Sequence, residues 1–442
     1  MQFKLLICIA IVSSIIMTSV QLVKADEVFN FLDACSCALE HAESKETETA
    51  KTFYDENCDG GQLANNLARG IFELRERVIY ESDDRLEPYC VLNDECLDKI
   101  TQGGELIKEL QYDREDLKKL ISNVVLLTNK NNLMSCNQGK AYWLKTEVVK
   151  PNAVKVDPNT GVNERLQRPL CPSVNNNLHE QHMGGISRPS RFCTGFLAKT
   201  DHGPRLVTAG HCVRGDSGAA GLEEEELVGI LNYQLTDQNQ TNYFFPAQSI
   251  IDDLTIDEDI DGKKQWVCRG NSLACPGQSS VGAYTDVAIL RAGKINKNFG
   301  LSVVVPNGPL SPNLSNQEAL GFSGHPAGMP KKVSLAPKAT YRTVEQAFPD
   351  GTIEHERLIS KFSKMYYAHF DAFGGDSGAP VFGNQRPDLV VGMLLGGQTD
   401  YEIGEHRGEA CWNFRALNQS KYPGELVLNA KYIHSLLEKT KE

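Results

Sequence analysis

Three short strings of the 442-residue sequence contain residue types that together perform nucleophilic catalysis. His211 follows an apolar segment, Asp286 directly precedes another, and Ser377 lies in the glycine-rich stretch 374–380. A serine hydroxyl is a poor nucleophile unless a base removes its proton, and an imidazole accepts protons at neutral pH. A carboxylate keeps that imidazole in the required tautomer and offsets its charge. The strings therefore predict Ser377 as nucleophile, His211 as general base and Asp286 as the orienting acid.

The glycines beside Ser377 predict a second part of the same site. An attacked carbonyl becomes an oxyanion, which needs hydrogen-bond donors already directed at it. Glycine permits a tight turn, so we expect the backbone amides of Gly375 and Ser377 to face one point. The alternative is an ordinary Gly-Ser turn. Asp252 and Asp253 are rivals for the acid, but they lie in a polar stretch with no comparable buried strand after them.

Taken together and in the order His, Asp, Ser, the three strings resemble the chymotrypsin and trypsin superfamily of serine peptidases. The resemblance covers roughly residues 185–437 and implies an all-β catalytic domain, with two antiparallel six-stranded β-barrels and the triad in the cleft between them. It also implies a disulfide between Cys193 and Cys212 across the histidine loop. A C-terminal helix is expected after Asn429, which is a suitable N-cap.

Two departures place the chain nearer the bacterial-type trypsin-like peptidases and glutamyl endopeptidases. Phe373 stands where vertebrate members carry a cysteine, and the string from Gly324 to Lys332 is similar to the bacterial-type enzymes. Those enzymes commonly carry Asn before the serine, whereas this chain has Asp376. In trypsin-like zymogens such an Asp pairs with the new N-terminal amine, although no Ile-Val-Gly-Gly string precedes Cys193.

The resemblance also suggests substrate-binding residues. Asp371 lies where trypsin carries the acid of its primary specificity pocket, and an acid there favours Lys or Arg through a charge-assisted hydrogen bond. The alternative is a structural loop acid. Gly396 and Gly397 are expected to form the wall along which the substrate backbone pairs as an added strand. Glutamyl specificity is disfavoured, because Leu394 occupies the place of the histidine used by those enzymes.

The surrounding sequence divides into regions of different texture. Residues 1–25 have a basic start and an apolar run too short to span a membrane, which predicts a signal peptide cleaved after Ala25 and a secreted protein without a membrane anchor. Residues 26–150 show apolar spacing typical of helices, including a helix over 105–127. Residues 151–184 are rich in Pro, Asn and Gly and indicate a linker. Residues 185–442 contain short apolar runs between turns, which is typical of a β-domain.

Cysteine usage agrees with export. Of the 13 cysteines, Cys8 lies in the signal peptide, and the remaining 12 divide evenly between the regions before and after residue 150. An even set in an exported chain predicts disulfides, and Cys268 and Cys275 fall together in the long insertion between His211 and Asp286.

Composition and motifs favour no cofactor or metal. A net charge of −12 argues against nucleic-acid binding. The acidic turn from Asp257 to Gly262 resembles half of a calcium loop, but Cys268 replaces the closing Glu. The expected partner is a protein or peptide substrate, and the sequence indicates no particular oligomeric state.

Three functional hypotheses follow. The first is an active endopeptidase made as a zymogen, with cleavage near Arg165 or Arg168. In the second, the first half is a permanent binding module on a protease. The third is an inactive serine-protease homologue that acts as a scaffold, against which the intact triad argues.

Overall fold

The structure is a computed structural model. It describes residues 25–41, 50–51, 54–55, 58, 74–80, 90–92, 122–148, 152–156, 163–167, 187–213, 226–233, 235–236, 244–258, 266–267, 286–292, 303–304, 320–329, 331–336, 341–343, 365–368, 372–383, 386–397, 401–414 and 424–440. Residues 1–24 of the predicted signal peptide, Asp371, Cys268 and Cys275 lie outside these residues, as does most of the region 26–121. Within the described ranges, we find no helix with the length and apolar character that crossing a membrane requires.

The described part is mostly β-structure. Its helices of two turns or more are α1, Ala25–His41, and α2, Ala430–Leu437. Up to residue 200 the strands are β1 Leu74–Tyr80, β2 Cys90–Leu92, β3 Val124–Asn129, β4 Leu133–Cys136, β5 Ala141–Leu144, β6 Glu147–Val148, β7 Asn152–Val156, β8 Asn163–Gln167, β9 Ser187–Arg188 and β10 Phe192–Ala198.

The later strands belong to the region for which the sequence predicts an all-β domain. They are β11 Arg205–Thr208, β12 Leu227–Ile230, β13 Leu235–Thr236, β14 Phe244–Pro246, β15 Ile250–Ile251, β16 Thr255–Ile256, β17 Trp266–Val267, β18 Val287–Arg291, β19 Val303–Val304, β20 Leu320–Gly324, β21 Lys332–Ala336, β22 Tyr341–Thr343, β23 Met365–Ala368, β24 Pro380–Gly383, β25 Arg386–Gly396, β26 Tyr401–His406, β27 Glu409–Phe414 and β28 Glu425–Asn429.

The first large sheet positions His211 and Asp286. Its order is β15-β12-β3-β10-β11-β18-β16, with β17 also paired to β18. The terminal strands β15 and β16 are separated along the chain only by residues 252–254, so the sheet curls back toward itself. Every residue of β10 and β11 is buried. Burial of successive residues, which point to opposite faces of a strand, is expected where both faces of a sheet are covered.

The β3 strand corrects one prediction from the sequence. The apolar spacing predicts a helix over 105–127, but residues 124–127 belong to a strand that lies between β10 and β12. All six residues of β3 are buried. Val124, Val125, Leu126 and Leu127 form an unbroken apolar run, which suits a strand with neighbours on both sides better than one face of a helix. Residues 105–121 lie outside the described part.

The second large sheet carries Ser377. Its order is β13-β1-β21-β20-β24-β25-β28-β23-β22, with β19 paired to β25 and β2 paired to β1. One apolar cluster includes residues of both sheets and of α2, among them Val207, Ile289, Met393 and Ile433. The expected C-terminal helix is confirmed, because Asn429 Oδ1 accepts a hydrogen bond of 2.9 Å from the Lys431 amide.

Disulfides join segments within each half of the chain, as the even cysteine count predicts. Cys35 is bonded to Cys58 and Cys37 to Cys136. The expected bridge between Cys193 and Cys212 is present. The Cys37–Cys136 bond attaches α1 to β4, so the N-terminal helix is covalently tied to the strands that follow β3.

Asp257, which the sequence places in an acidic turn, is a buried ion-pair centre. Its carboxylate accepts a hydrogen bond from Arg205 Nε and lies 3.1 Å from Arg291 Nη2. The side chains of Asp257 and Arg205 are 1% and 4% exposed. The pair joins β11 to the segment after β16 and thereby supports the strand that leads to His211.

We predict that Asp257→Ala lowers the free energy of unfolding by about 3–5 kcal/mol, because it leaves the buried Arg205 guanidinium without its carboxylate. Urea unfolding measures the change, with the exposed Asp201→Ala as control. A loss below about 1 kcal/mol, the range of exposed ion pairs, would show that the pair adds little to stability.

Candidate active site

His211 is presented by a short turn after β11. Leu206 and Val207 are fully buried in that strand, and a 3-10 turn, Gly210–Cys212, follows it. The His211 side chain is 19% exposed. The buried strand before His211 and the disulfide between Cys212 and Cys193 fix the backbone that carries the imidazole. Part of the ring remains exposed to solvent.

Asp286 meets His211 because β11 and β18 are antiparallel. In their register Thr208 lies opposite Ala288, so the end of one strand is beside the start of the other. Asp286 is fully buried and has a positive φ of 44°, a conformation uncommon outside glycine. One carboxylate oxygen lies 2.8 Å from His211 Nδ1, and the other accepts a 2.8 Å hydrogen bond from the His211 amide. Asp286 therefore forms hydrogen bonds with both the ring and the backbone of His211.

Ser377 lies in the turn before β24 and is anchored against the histidine side of the cleft. Its carbonyl accepts a 3.0 Å hydrogen bond from the Thr194 amide and lies 3.6 Å from Cys212 Sγ. The Ser377 hydroxyl donates a 3.2 Å hydrogen bond to the Leu395 carbonyl. Proton transfer to His211 therefore requires the hydroxyl to leave that bond.

Gly378 shows how closely the serine turn fits the first sheet. Its φ is +92°, and a Cβ built on it would lie 2.0 Å from the Thr194 carbonyl oxygen and 2.5 Å from Thr208 Oγ1. Only glycine tolerates both that φ and that approach. The turn that carries Ser377 is thus pressed directly onto β10 and β11.

The amides of Gly375 and Ser377 have no hydrogen-bond partner among the described residues. The carbonyl of each of these two peptide units is hydrogen-bonded. Gly374 O, in the peptide that contains the Gly375 amide, accepts from the Ala327 amide at 2.7 Å, and Asp376 O, in the peptide that contains the Ser377 amide, accepts from the Ala379 amide at 2.8 Å. In a trans peptide the N–H points opposite to the C=O. The Gly375 and Ser377 amides therefore point away from Ala327 and Ala379, respectively, and are available to an oxyanion.

Asp376 is buried within the serine turn. One carboxylate oxygen accepts a 3.0 Å hydrogen bond from the Phe373 amide, and the other faces Gly324, where a Cβ would approach it to 2.3 Å. The side chain thus caps the turn that carries Ser377.

The predicted substrate wall lies beside Leu395. Gly396 has a φ of +142°, and a Cβ built there would have no atom within 4 Å, while Gly397 is exposed. Across the sheet, Gly396 pairs with Leu426, and the buried carboxylate of Glu425 lies directly against Gly397. Asp371, the other predicted specificity residue, falls outside the described residues.

Two groups of Cys and His side chains in the described part are close enough to surround a metal ion: Cys37, His41 and Cys136, and Cys193, His211 and Cys212. In each group the two cysteines are joined in a disulfide. Because the thiolate is the form that binds metals, neither group fits a metal site in this state.

His325 is a buried histidine behind the serine turn for which the sequence predicts no role. Its Nδ1 donates to the Met329 carbonyl at 3.0 Å, and its ring stacks on Tyr233 with centroids 5.7 Å apart. Burial, with a smaller contribution from the charge of Lys331 and opposed by the hydrogen bond to Met329, lowers the pKa of His325 to about 3. The ring is therefore neutral at physiological pH.

This pKa predicts a loss of stability in acid. Between pH 6.5 and about 3 the unfolded chain binds a proton that folded His325 excludes. The free energy of unfolding then falls on acidification by up to about 1.4 kcal/mol per pH unit from this group, and the contribution is fully present above pH 6.5. We expect the free energy of unfolding of His325→Gln to change less steeply with pH across this range than that of the wild type. The control His202→Gln, at an exposed histidine, should keep the wild-type dependence on pH. Equal slopes in wild type and His325→Gln would contradict the assignment.

Fold and site together define a class: a mostly β protein in which a buried Asp-His pair and a serine turn lie between two sheets, and in which the Gly375 and Ser377 amides have no partner within the described ranges. Comparison with protein families agrees, since residues 193–393 match the model of the trypsin-like peptidase domain. This match confirms the resemblance to the trypsin-like serine peptidases of the chymotrypsin superfamily that was inferred from the three strings. The first large sheet includes β3, which lies before the first matched residue, so this sheet extends beyond the matched range.

Among solved structures, the chain is similar to the Rv3671c protease from M. tuberculosis. Its active form is 13% identical, with 74% of this chain and 85% of that chain covered and a TM-score of 0.32. Its inactive form is 14% identical, with 63% and 99% covered and a TM-score of 0.30. At these values the likeness carries no inference about activity. A search of curated protein sequences found no significant match.

Proposed function

We propose that this protein is a secreted serine endopeptidase that cleaves peptide bonds through Ser377, His211 and Asp286. The observation that supports the proposal most directly is the pair of hydrogen bonds from His211, one from its ring and one from its backbone amide, to the fully buried carboxylate of Asp286. A buried carboxylate in that position stabilises the imidazolium that forms during proton transfer. The trypsin-like peptidase match over residues 193–393 supports a protease in particular.

The mechanism begins when the Ser377 hydroxyl leaves the Leu395 carbonyl and turns toward His211. The imidazole accepts the hydroxyl proton as Ser377 Oγ attacks the substrate carbonyl. The amides of Gly375 and Ser377 receive the developing oxyanion. His211 then gives the proton to the leaving amine, which releases the first product and leaves an acyl-enzyme on Ser377. A water molecule, deprotonated by His211, hydrolyses that ester, while Asp286 stays ionised throughout.

The resemblance to peptidases with two six-stranded barrels supports a complete double-barrel fold here. The curled first sheet is compatible with one such barrel, since β15 and β16 close toward each other.

We further propose cleavage after Lys or Arg. Two acids support it: Asp371, by its place six residues before Ser377, and Glu425, whose buried carboxylate lies against Gly397. A negative charge beside the substrate wall attracts a cationic side chain. Digestion of a peptide library by the purified protein tests activity and specificity together. Cleavage mainly after Lys and Arg supports both, cleavage elsewhere overturns the specificity alone, and no cleavage in any processing state overturns the enzyme.

Export and activation are proposed from the sequence. Residues 1–25 are proposed to act as a signal peptide, and a cut between β8 and β9, near Arg168, is proposed to activate the enzyme. The structure constrains such a cut, since β3 is embedded between β10 and β12 and Cys37–Cys136 ties α1 to β4.

We predict that cleavage between β8 and β9 yields a two-chain protein rather than a released pro-region. A site for a specific protease inserted in residues 170–184 provides the cut. After cleavage, the two fragments should co-elute in gel filtration, both before and after mild disulfide reduction, because β3 stays paired on both edges. An active C-terminal fragment that elutes alone after reduction would contradict this.

A further inference from the structure

Thr194 connects the nucleophile to the oxyanion loop. Its amide donates to the Ser377 carbonyl at 3.0 Å, and its hydroxyl donates to the Gly375 carbonyl at 2.8 Å. Its own carbonyl accepts from Thr208 Oγ1 at 2.6 Å. The side chain is fully buried, so solvent does not compete for these bonds.

The direction of the Thr194 hydroxyl is fixed by a third group. The His325 amide donates to Thr194 Oγ1 at 3.0 Å. A hydroxyl has one hydrogen to donate, and with an N–H occupying one side of the oxygen, that hydrogen is left for Gly375 O. The Gly375 carbonyl is therefore held by a donor whose orientation the His325 backbone sets.

The neighbouring peptide is held from the same loop. The Ala327 amide donates to Gly374 O, and Gly375 itself has no room for a side chain, because a Cβ would lie 2.8 Å from both His325 O and the Phe192 ring. Two successive carbonyls, those of Gly374 and Gly375, are thus fixed by Ala327 and Thr194. The Ala327 bond fixes the peptide that contains the Gly375 amide, and the Thr194 bond fixes the peptide that follows it. Together the two bonds hold the backbone angles of Gly375, on which the direction of its amide depends.

We propose that Thr194 is a positioning residue for catalysis: through its hydroxyl it holds the Gly375 carbonyl and keeps the Gly375 amide directed at the oxyanion. The inference rests on the proposed peptidase function and adds a residue to its machinery. Thr194 touches neither substrate nor the reacting oxygen, so its effect is transmitted through the backbone.

The test is a comparison of Thr194→Val with Thr194→Ser. Valine has nearly the same shape without the hydroxyl, whereas serine keeps the hydroxyl. Removal of an oxyanion donor typically lowers turnover about a hundred- to a thousandfold, so we expect its misalignment in Thr194→Val to lower kcat about ten- to a hundredfold, with KM nearly unchanged. Affinity for a peptide-aldehyde inhibitor, which forms a tetrahedral oxyanion, should fall by a similar factor. Thr194→Ser should recover most of both.

Thr128→Val is the matched control. Thr128 is also fully buried in the first sheet, and its hydroxyl donates to the Arg191 carbonyl at 2.8 Å rather than to a residue of the serine turn. Its substitution should change stability without changing kcat or aldehyde affinity. All rates are divided by the concentration of active sites, so that partial misfolding of a variant does not count as lost turnover.

The outcomes separate the two proposals. A Thr194→Val enzyme with wild-type kcat and aldehyde affinity overturns the positioning role and leaves the peptidase intact. A rise in KM alone also overturns it. If Thr194→Val does not fold, Thr194→Ser and Thr194→Ala decide: equal kcat in the two contradicts the role of the hydroxyl. A wild-type protein without activity overturns the proposed function itself.

Discussion

Ser377→Ala is expected to lower turnover of a cleaved peptide about 10⁴- to 10⁶-fold, the range found when the nucleophile of a catalytic triad is removed. The methyl group cannot form the acyl-enzyme, so only the oxyanion site and substrate binding still assist direct attack by water. The fold should be unaffected, because the Ser377 side chain makes a single described hydrogen bond, to Leu395 O. Steady-state hydrolysis of the best library peptide measures the change.

Ser435→Ala is the control for this variant. Its hydroxyl donates only to the Tyr432 carbonyl within α2, far along the chain from the serine turn, and turnover should stay at the wild-type level. If Ser377→Ala retained more than about a tenth of wild-type turnover, another residue would have to be the nucleophile. The scaffold hypothesis predicts something different: no turnover in the wild type as well.

Asp286→Asn should lower turnover about 10⁴-fold, the loss known for this change in a serine-protease triad. The asparagine amide retains the shape and one oxygen, which can still accept from the His211 amide. Its NH₂ group cannot accept from Nδ1–H, so the ring is driven to the tautomer with its proton on Nε2, the nitrogen that has to take the serine proton in the proposed mechanism. In that tautomer the histidine cannot accept the serine proton.

Asp252→Asn provides the comparison, because this acid, a rival of Asp286 in the sequence, is exposed and its substitution should leave turnover unchanged. A pH series adds a second readout for Asp286→Asn. Since hydroxide can replace the disabled base, the residual activity should rise with pH more steeply than that of the wild type. Activity of Asp286→Asn within about tenfold of the wild type would mean that the buried contact with His211 is structural.

The local strings predict the contact between His211 and Asp286 because the position of each residue is set by its own neighbours. His211 and Asp286 come at the ends of apolar strands whose antiparallel pairing brings them together. Asn429 was predictable for the same reason, since a helix N-cap depends on a few adjacent residues.

What the sequence did not indicate depends on distant contacts. Thr194 lies 181 residues from Gly375, whose carbonyl it holds, and no local pattern around Cys193 reports that bond. The sequence predicts a helix where β3 lies because the partners of this strand are distant along the chain: residues 130–191 separate it from β10, and residues 130–226 separate it from β12. The string from Gly324 to Lys332 indicates from its sequence only a similarity to the bacterial-type enzymes. Its contribution, through the amides of His325 and Ala327, is a backbone effect that side-chain types do not display.

The most direct test is to label the purified protein with a fluorophosphonate and locate the adduct by mass spectrometry. Such a probe reacts with a serine only where a base activates the hydroxyl and an oxyanion site receives the phosphonyl oxygen. We predict one adduct, on Ser377, that disappears in Ser377→Ala and forms far more slowly in Asp286→Asn. An adduct on another residue, or none on protein in any processing state, would contradict the assignment of Ser377, His211 and Asp286 as a working triad.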